Sequence, residues 1–312
     1  MNMMSFGARG FIAQASKGRF SKRTIGLLPN QKQQQNHYEQ QYARYFSVLD
    51  HSSLHRGGSI LSTNMNPKEA TASIRMRQLF DDESCTYTYL LWDKSTFDAV
   101  LVDPVDVQVD RDLEAIRALG LNLVFAINTH AHADHITGTG LLKERVPGLA
   151  SVISKASGAQ SDLTVSHGDT IVFGNSGLSV RATPGHTEGC VSLVGTGNEN
   201  DETLAPTFVL TGDALLVGGC GRTDFQGGCP ETLWESVQQQ LFVLPDTTVV
   251  YPAHDYKGRT HTTIGTEKTT NPRLGSENVR SRADFVHIME NLNLPYPKKL
   301  DVAVPANMRC GI

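Results

Sequence analysis

One short stretch of the sequence concentrates side chains that bind transition metals. His130, His132, Asp134 and His135 fall within six positions, in the pattern H-x-H-x-D-H. Imidazole and carboxylate groups in combination suit Zn, Fe, Mn or Ni better than Ca or Mg, which favour oxygen ligands. A polar loop with scattered histidines is the alternative interpretation, but the dense spacing favours a metal site.

Three more side chains of the same kinds stand alone later in the chain. They are His186, Asp213 and His254, and each follows a short apolar stretch that we interpret as a β-strand. The first motif has the same context, because residues 121–127 (LNLVFAI) form an apolar stretch just before it. Any one of these side chains alone would be interpreted as structural. Four strand ends with metal-binding side chains together predict one shared metal site.

Strands and helices alternate along the predicted folded part. Predicted strands cover residues 85–92, 99–102, 121–127, 151–154, 170–173, 178–182, 190–194, 208–210 and 248–251. Predicted helices cover residues 111–119, 136–143, 231–244 and 280–291, and residues 195–206 are a predicted polar loop. The alternation predicts layered α/β architecture. The potential ligands are irregularly spaced, so folding of the sheet, rather than a sequence repeat, must bring them together.

The composition fits a soluble globular protein. The 312 residues are 39% hydrophobic and carry a formal net charge of −4. No apolar run is long enough to span a membrane, and the charge balance gives no reason to expect nucleic acid as a partner. The five cysteines include no C-x-x-C pair, so we expect reduced thiols in an intracellular compartment.

Residues 1–60 differ in composition from the rest of the chain. The only acid before Asp50 is Glu39, whereas several residues are basic: Arg9, Lys17, Arg19, Lys22, Arg23, Lys32 and Arg44. This composition is typical of an organelle transit peptide, and residues 44–47 (RYFS) resemble a mitochondrial processing site. We therefore predict a mitochondrial transit peptide and disordered segment over 1–60 and a catalytic domain over 75–312. A chloroplast address and a basic tail without an address are the alternatives.

The order of the potential ligands resembles that of the metallo-β-lactamase superfamily, and other segments resemble its persulfide dioxygenases, which are relatives of glyoxalase II. These segments are residues 84–91, 129–138, 157–160, 211–215, 219–226 (GCGRTDFQ), 251–256, 271–274, 291–295 and 304–311 (VPANMRCG). The H-x-H-x-D-H motif marks only the superfamily, whereas the GCGRTDFQ and VPANMRCG segments are far more specific. The resemblance implies an αββα sandwich with the metal between two sheets at one edge.

The resemblance also implies which residues bind the metal. His130, His186 and Asp213 are expected to hold one Fe(II) per subunit, the arrangement of two imidazoles and a carboxylate found in non-haem oxygenases. In binuclear relatives His132, Asp134, His135 and His254 form the second half of the site. We expect them to act as an outer shell here, although the sequence leaves a binuclear site open.

The expected reaction converts glutathione persulfide, O2 and water to glutathione and sulfite in the mitochondrial matrix. The family suggests a homodimer, and a separate sulfurtransferase or sulfide oxidoreductase would supply the persulfide. Arg222 suits a glutathione carboxylate because its guanidinium is a fixed fork, with a salt bridge to Asp224 as the alternative. Tyr256 and Arg273 are weaker candidates for substrate contacts. The alternative role for Tyr256 is packing in the hydrophobic core.

Two other functions remain open at this point. The first is a glyoxalase II-type hydroxyacylglutathione hydrolase with a binuclear metal site. Long helical additions carry glutathione recognition in that enzyme, whereas the residues after His254 show a weak helical pattern outside 280–291. The second is a non-catalytic scaffold, which would have no need for seven metal-binding side chains.

Overall fold

The computed structural model describes residues 74–195, 207–279 and 281–312. The predicted transit peptide and most of the predicted polar loop lie outside these residues. Within the described part, no helix combines the length and the apolar character needed to cross a membrane. All five cysteines lie in the described residues and are free, as expected.

Twelve strands and six α-helices make up the described part of the chain. The strands are β1 Ile74–Asp81, β2 Thr86–Asp93, β3 Asp98–Val102, β4 Asn122–Ile127, β5 Ala150–Ser154, β6 Leu163–Val165, β7 Thr170–Phe173, β8 Ser176–Ala182, β9 Val191–Gly195, β10 Phe208–Gly212, β11 Val249–Pro252 and β12 Thr262–Thr263. The α-helices are α1 Val109–Ala118, α2 Thr139–Arg145, α3 Pro230–Ser236, α4 Ile264–Thr270, α5 Arg282–Glu290 and α6 Leu300–Asn307. Helix α3 continues into a π-helical turn, Val237–Leu241.

The strands form two six-stranded mixed sheets. The first has the order β1-β2-β3-β4-β5-β6 and is antiparallel up to β3 and parallel from β3 onwards. The second has the order β12-β11-β10-β9-β8-β7, in which only the β10–β11 pair is parallel. The strands that precede metal-binding side chains are therefore divided between the two sheets, with β4 in the first and β8, β10 and β11 in the second.

Each sheet has its own layer of helices. On the first sheet, Leu90 and Leu101 belong to one buried cluster with Leu113 and Ile116 of α1. On the second sheet, Val209 and Val250 belong to another with residues from α3, α4 and α5: Leu233, Ile264 and Phe285. Between the sheets, the Tyr89 hydroxyl donates to the Pro252 carbonyl at 2.6 Å. This arrangement of helix, sheet, sheet and helix layers confirms the predicted αββα sandwich.

The structure corrects several predicted element boundaries. Three short or edge strands were not predicted as strands, β1, β6 and β12, and helices α4 and α6 were also missed. The helix predicted from residue 136 begins instead at Thr139, because residues 136–138 are tied to the segment after β3. The Ile136 carbonyl accepts from Asp106 N at 3.0 Å, and Gly138 N donates to the Pro104 carbonyl at 2.8 Å.

Candidate metal centre

All seven predicted metal-binding side chains lie in turns that follow strands. The H-x-H-x-D-H motif occupies the loop between β4 and α2, His186 lies between β8 and β9, Asp213 directly follows β10, and His254 follows β11. The two sheets thus bring loops from distant parts of the sequence to one edge of the sandwich. The predicted convergence of four strand ends is present in the fold.

A glycine allows the close approach that Asp213 requires. Gly212 has φ of +52°, and a Cβ atom at this position would lie 2.7 Å from the Thr129 hydroxyl oxygen. A side chain there would collide with the residue before His130 and would also disfavour the backbone conformation. The Thr-Gly-Asp sequence at the end of β10 therefore lets the ligand loops of both sheets pack against each other.

The seven side chains form two adjacent groups, each able to hold a metal ion. The first group contains three residues, His130, His186 and Asp213, and the second contains four, His132, Asp134, His135 and His254. Within each group the potential ligand atoms lie within 4.8 Å of one another. The groups are neighbours, since the His254 Nε2 and Asp213 Oδ1 atoms are 3.7 Å apart.

Hydrogen bonds fix the tautomers of the histidines in the three-residue group. The Thr129 hydroxyl donates its only hydrogen to Asp103 Oδ2 at 2.9 Å, so it accepts from His130 Nδ1 at 3.0 Å. The Nδ1 atom of His186 lies 2.6 Å from the Arg222 carbonyl oxygen, which can only accept. Both imidazoles therefore carry their proton on Nδ1, and the Nε2 lone pairs remain free for a metal.

The four-residue group has orienting partners that the sequence interpretation missed. Asp103 Oδ1 lies 3.0 Å from His132 Nε2, which leaves the Nδ1 atom of His132 free. The Thr86 hydroxyl lies 3.3 Å from His135 Nδ1 and 3.4 Å from His254 Nδ1. Asp103 had a sequence signal, because it too is a carboxylate directly after a buried strand. Thr86 had none, because nothing in the sequence places the start of β2 beside this site.

Unpaired buried atoms show that these residues fit a metal ion. In the described part of the chain, most buried side-chain atoms without a hydrogen-bond partner belong to this site: His130 Nε2, His132 Nδ1, His135 Nε2, Asp213 Oδ1 and His254 Nε2. A buried polar atom without a partner is costly, and such atoms in native proteins call for an unseen water or ion. Nitrogen and carboxylate donors suit a borderline transition metal, so the site is a metal centre by its donor chemistry.

The electrostatics of the site also favour a cation. Burial lowers the pKa of His130 well below its usual range, with help from the neighbouring His132 and His186. Burial would raise the pKa of the Asp134 carboxyl, but the facing His254 and His135 hold it well below its usual range. For His254, the opposing charges of Asp134 and Asp213 outweigh the effect of burial and raise the pKa to about 9. A metal ion would replace this proton as the counter-charge for the carboxylates.

The three residues predicted to contact substrate lie in different surroundings. The Arg222 guanidinium forms a fork with Asp224, with two N–O distances of 2.7 Å, and Nη1 donates to the Pro295 carbonyl at 2.7 Å. Arg273 Nη1 donates to the Cys220 carbonyl at 2.8 Å. Tyr256 is 71% exposed, and its ring is stacked with His254 at a centroid distance of 6.2 Å. Of the three, Tyr256 alone offers an exposed side chain in ring contact with a residue of the site.

The glycine-rich segment after Asp213 is held by residues from and just after α4. Glu267 is buried and accepts from Gly218 N at 3.0 Å, and Asn271 Nδ2 donates to the Gly219 carbonyl at 3.1 Å. Together with the Arg273 bond to Cys220, these contacts fix three consecutive residues. The Arg222 carbonyl, which orients His186, lies two residues further along, so the segment supports the metal centre through its backbone.

Comparisons with known proteins agree with this geometry. The family model described as the metallo-beta-lactamase superfamily matches residues 86–254. "Persulfide dioxygenase ETHE1, mitochondrial" from Homo sapiens is 54% identical over 241 residues, which cover 77% of this chain and 90% of that protein. The crystal structure of ETHE1 from Myxococcus xanthus is 50% identical, with a TM-score of 0.70, and the match covers 76% of this chain and 100% of that one.

A weaker match connects the chain to the hydrolases of the same fold. "Hydroxyacylglutathione hydrolase cytoplasmic" from Arabidopsis thaliana is 34% identical over 175 residues, which cover 54% of this chain and 64% of that protein. The persulfide dioxygenases are therefore more similar and are matched over more of their length. The chain belongs to the metallo-beta-lactamase superfamily and, within it, to the persulfide dioxygenase family.

Proposed function

We propose that this protein is an iron-dependent persulfide dioxygenase that acts on glutathione persulfide. The reaction consumes one glutathione persulfide, one O2 and one water, and it yields glutathione, sulfite and two protons. The outer sulfur loses four electrons, which reduce the O2, and the S–S bond breaks so that the inner sulfur leaves as the thiol of glutathione. The balance requires no further oxidant or reductant.

The observation that carries this proposal is the group of His130, His186 and Asp213, with ligand atoms within 4.8 Å of one another. Two neutral imidazoles and one carboxylate leave other coordination positions free for substrates, as in non-haem iron oxygenases. One Fe(II) bound there would supply the redox chemistry for O2 activation, which a Zn²⁺ ion cannot. The similarity to the human and Myxococcus xanthus proteins supports the same choice.

The protein itself supplies orientation and charge in this reaction. Thr129 and the Arg222 carbonyl hold the His130 and His186 rings in the tautomer that presents Nε2. The neighbouring group of His132, Asp134, His135 and His254 contributes a negative carboxylate and a network of buried hydrogen bonds. We assign these four residues to an outer shell that orients the ligands and adjusts their basicity, a role in which loss of one partner commonly costs about 10- to 100-fold.

Tyr256 is the candidate that we favour for contact with the glutathione moiety. Its largely exposed ring stands beside His254, where its hydroxyl could donate to or accept from the tripeptide. Arg222 and Arg273 remain candidates, but their guanidinium groups already donate to Asp224, Pro295 and Cys220. A glutathione carboxylate would have to share the Arg222 fork with Asp224 or displace that side chain.

Oxygen consumption by anaerobically purified protein tests the proposal. We expect one iron per chain, O2 uptake on addition of glutathione persulfide, and sulfite release equal to the O2 consumed. Uptake should follow iron content across partially loaded preparations. A protein that contains iron but releases no sulfite would refute the assignment.

The four-residue group keeps a second function in view. A binuclear centre that uses both groups would suit a hydroxyacylglutathione hydrolase, such as the Arabidopsis thaliana relative. The described helices after His254 have only seven to nine residues, whereas the hydrolase is expected to carry long helical additions there. Two metals per chain and hydrolysis of a glutathione thioester without O2 uptake would favour the hydrolase. A folded, metal-loaded protein that shows neither activity would favour a scaffold.

Location and partners form the rest of the proposal. The composition of residues 1–60 and the mitochondrial relatives support import into the mitochondrial matrix. A fusion of these residues to a fluorescent protein should enter mitochondria, and a chain that starts near residue 60 should keep full activity. We further propose a homodimer, which light scattering can test, and a separate sulfurtransferase or sulfide oxidoreductase as the source of the persulfide.

A further inference from the structure

The specific VPANMRCG segment, residues 304–311, has no role in the reaction as described so far. Its Asn307 is the last residue of α6 and is only 4% exposed. The side chain is directed into the loop that carries the H-x-H-x-D-H motif, more than 170 residues earlier in the sequence. Its polar atoms form hydrogen bonds with the backbone of that loop.

Asn307 makes three hydrogen bonds with the backbone of this loop. Its Nδ2 group donates to the carbonyl oxygens of His132 and His135, both at 2.8 Å. Its Oδ1 atom accepts from Thr137 N, also at 2.8 Å. One side-chain amide thus uses both of its donor hydrogens and its acceptor oxygen on one short loop. The backbone N–H and C=O groups of this loop obtain from Asn307 the hydrogen bonds that they would otherwise make within a strand or helix.

The residues after Asn307 press against the same loop. Gly311 has φ of +87°, and a Cβ atom there would lie 2.2 Å from the Thr137 carbonyl oxygen. The Met308 carbonyl accepts from Gln160 N at 2.9 Å, which fixes the segment from its other side. These contacts anchor the residues that follow Asn307 to the loop and to Gln160.

We propose that Asn307 is a positioning residue that fixes the directions in which the outer-shell residues His132 and His135 present their unpaired ring nitrogens to the metal centre. The Nδ1 atom of His132 and the Nε2 atom of His135 are among the unpaired buried atoms of the site. Because Asn307 holds the carbonyl groups of these two residues, it also limits how their Cα–Cβ bonds can turn. The inference rests on the proposed function only in requiring that a metal binds at this centre.

The test compares Asn307→Asp with Asn307→Ala. Aspartate has nearly the same shape as asparagine, but its ionised carboxylate would face two carbonyl oxygens at 2.8 Å and repel them. Positioning by N–H donation therefore predicts that iron is lost faster from Asn307→Asp than from Asn307→Ala, and at least about 10-fold faster than from the wild type. A packing role predicts the opposite order, because Asp fills the space that Ala leaves empty.

Iron release to a chelator at pH 8 gives the rates, and the visible spectrum of Co²⁺-loaded protein reports the ligand geometry. The matched control is Ala303→Gly, which weakens the same helix at a buried position without a hydrogen bond to the loop. We expect its thermal stability to fall while its iron release and Co²⁺ spectrum stay like those of the wild type. Equal rates in Asn307→Asp and the wild type, or faster release from Asn307→Ala than from Asn307→Asp, would overturn the proposal.

The result is separate from the test of the reaction itself. If the wild type fails to oxidise glutathione persulfide, the enzymatic assignment is wrong, but the order of metal loss among the variants still decides the role of Asn307. If the wild type binds Co²⁺ and not iron, the Co²⁺ spectra and Co²⁺ release carry the same comparison. A normal wild type with an unaltered Asn307→Asp spectrum refutes the positioning role alone.

Discussion

The Oδ1 atom of Asp103 lies 3.0 Å from Nε2 of His132, and both side chains are almost completely buried. The same carboxylate accepts from Thr129 N at 2.7 Å and from the Thr129 hydroxyl at 2.9 Å. Thr129 in turn accepts from His130. One carboxylate at the end of β3 therefore orients a residue of each metal-binding group, directly for His132 and through Thr129 for His130.

Replacing Asp103 by Asn should weaken metal binding about 10- to 100-fold, the usual cost of losing an outer-shell partner. The Asn amide group can donate to His132 Nε2, which would move the imidazole proton to Nδ1, the unpaired ring nitrogen, and change the outer shell around the metal. It would also remove the negative charge that supports the centre. Equilibrium competition with a metal chelator would measure the change in affinity.

Asp98→Asn is the matched control for this prediction. Asp98 stands at the opposite end of β3, where its Oδ1 atom accepts from Asn122 Nδ2 at 2.7 Å. We expect its metal affinity to equal that of the wild type. An Asp103→Asn protein with wild-type metal affinity would show that the carboxylate serves only the fold.

Substitutions at His186 and His135 should separate the two metal-binding groups. His186→Ala removes one of three proposed iron ligands, and His130→Ala or Asp213→Ala should do the same, so we expect iron to be lost almost completely. His135→Ala should keep most of the iron and lose activity about 10- to 100-fold, as an outer-shell residue does. Metal analysis and O2 uptake on the same preparations would measure both quantities.

The contrast between these variants decides the number of metals. If His135→Ala loses its iron as completely as His186→Ala, the four-residue group binds a metal of its own. If His186→Ala keeps iron near one per chain, the assignment of the three ligands is wrong. The expected pattern is one metal, held by His130, His186 and Asp213.

Much of the site could be predicted from the sequence, because its geometry follows from strand ends. The seven metal-binding side chains each come after an apolar stretch, and the carboxyl ends of strands that share an edge bring them together. Strands β4 and β10 illustrate this, since β4 is almost entirely apolar and ends three residues before His130, and β10 is fully buried and ends directly before Asp213. The fold class followed from the alternation of elements and from the resemblance to a known superfamily.

The supporting residues could not be predicted, because they depend on contacts across the fold. Thr86 reaches His254 only because β2 and β11 meet between the sheets, and Asn307 reaches the first motif only because α6 packs against it. Short elements such as β12, with two residues, are also too small to give a periodic signal. In each case the deciding information is a tertiary contact rather than a local pattern.

Arg222→Lys should lower thermal stability and leave iron content unchanged. Lysine keeps the charge, but it loses the two-pronged contact with Asp224 and the planar contact over Phe225, whose centroid lies 4.6 Å from the guanidinium carbon. The loss should be modest, on the order of 1 kcal/mol, because Asp224 is largely exposed. Iron should remain because His186 is oriented by the backbone carbonyl of Arg222, which any substitution retains.

Asp224→Asn is the control that tests for a substrate role of Arg222. A salt bridge predicts that both variants lose stability and keep the wild-type Michaelis constant for glutathione persulfide. A substrate contact predicts that the Michaelis constant rises in Arg222→Lys with little change in turnover. Calorimetry, iron analysis and O2 uptake on one preparation of each variant distinguish the two roles. An unchanged Michaelis constant in Arg222→Lys would remove this residue from the substrate site.

Asp112 in α1 should make the protein less stable as the pH rises. Burial raises the pKa of this carboxyl to about 6, although the guanidinium of Arg111 opposes the effect. Both N–H contacts of Arg111 reach Oδ1, at 2.9 and 2.8 Å, and the Oδ2 atom has no hydrogen-bond partner among the described residues. The folded protein therefore binds this proton more tightly than the unfolded chain does.

The sign of the pH dependence follows from this difference. The protonated carboxyl contributes its full stability below about pH 4, and that contribution is lost as the pH rises to about 6, with a total near 3 kcal/mol for a shift of about two pKa units. Asp112→Asn cannot ionise, so its stability relative to the wild type should increase by about 2 kcal/mol between pH 4.5 and 7. Urea unfolding of the metal-free proteins at both pH values would measure this change without interference from metal loss.

Asp110→Asn, at an exposed position of the same helix, should show no such change. Parallel pH profiles for the wild type and Asp112→Asn would mean that Asp112 stays ionised in the fold through its contact with Arg111.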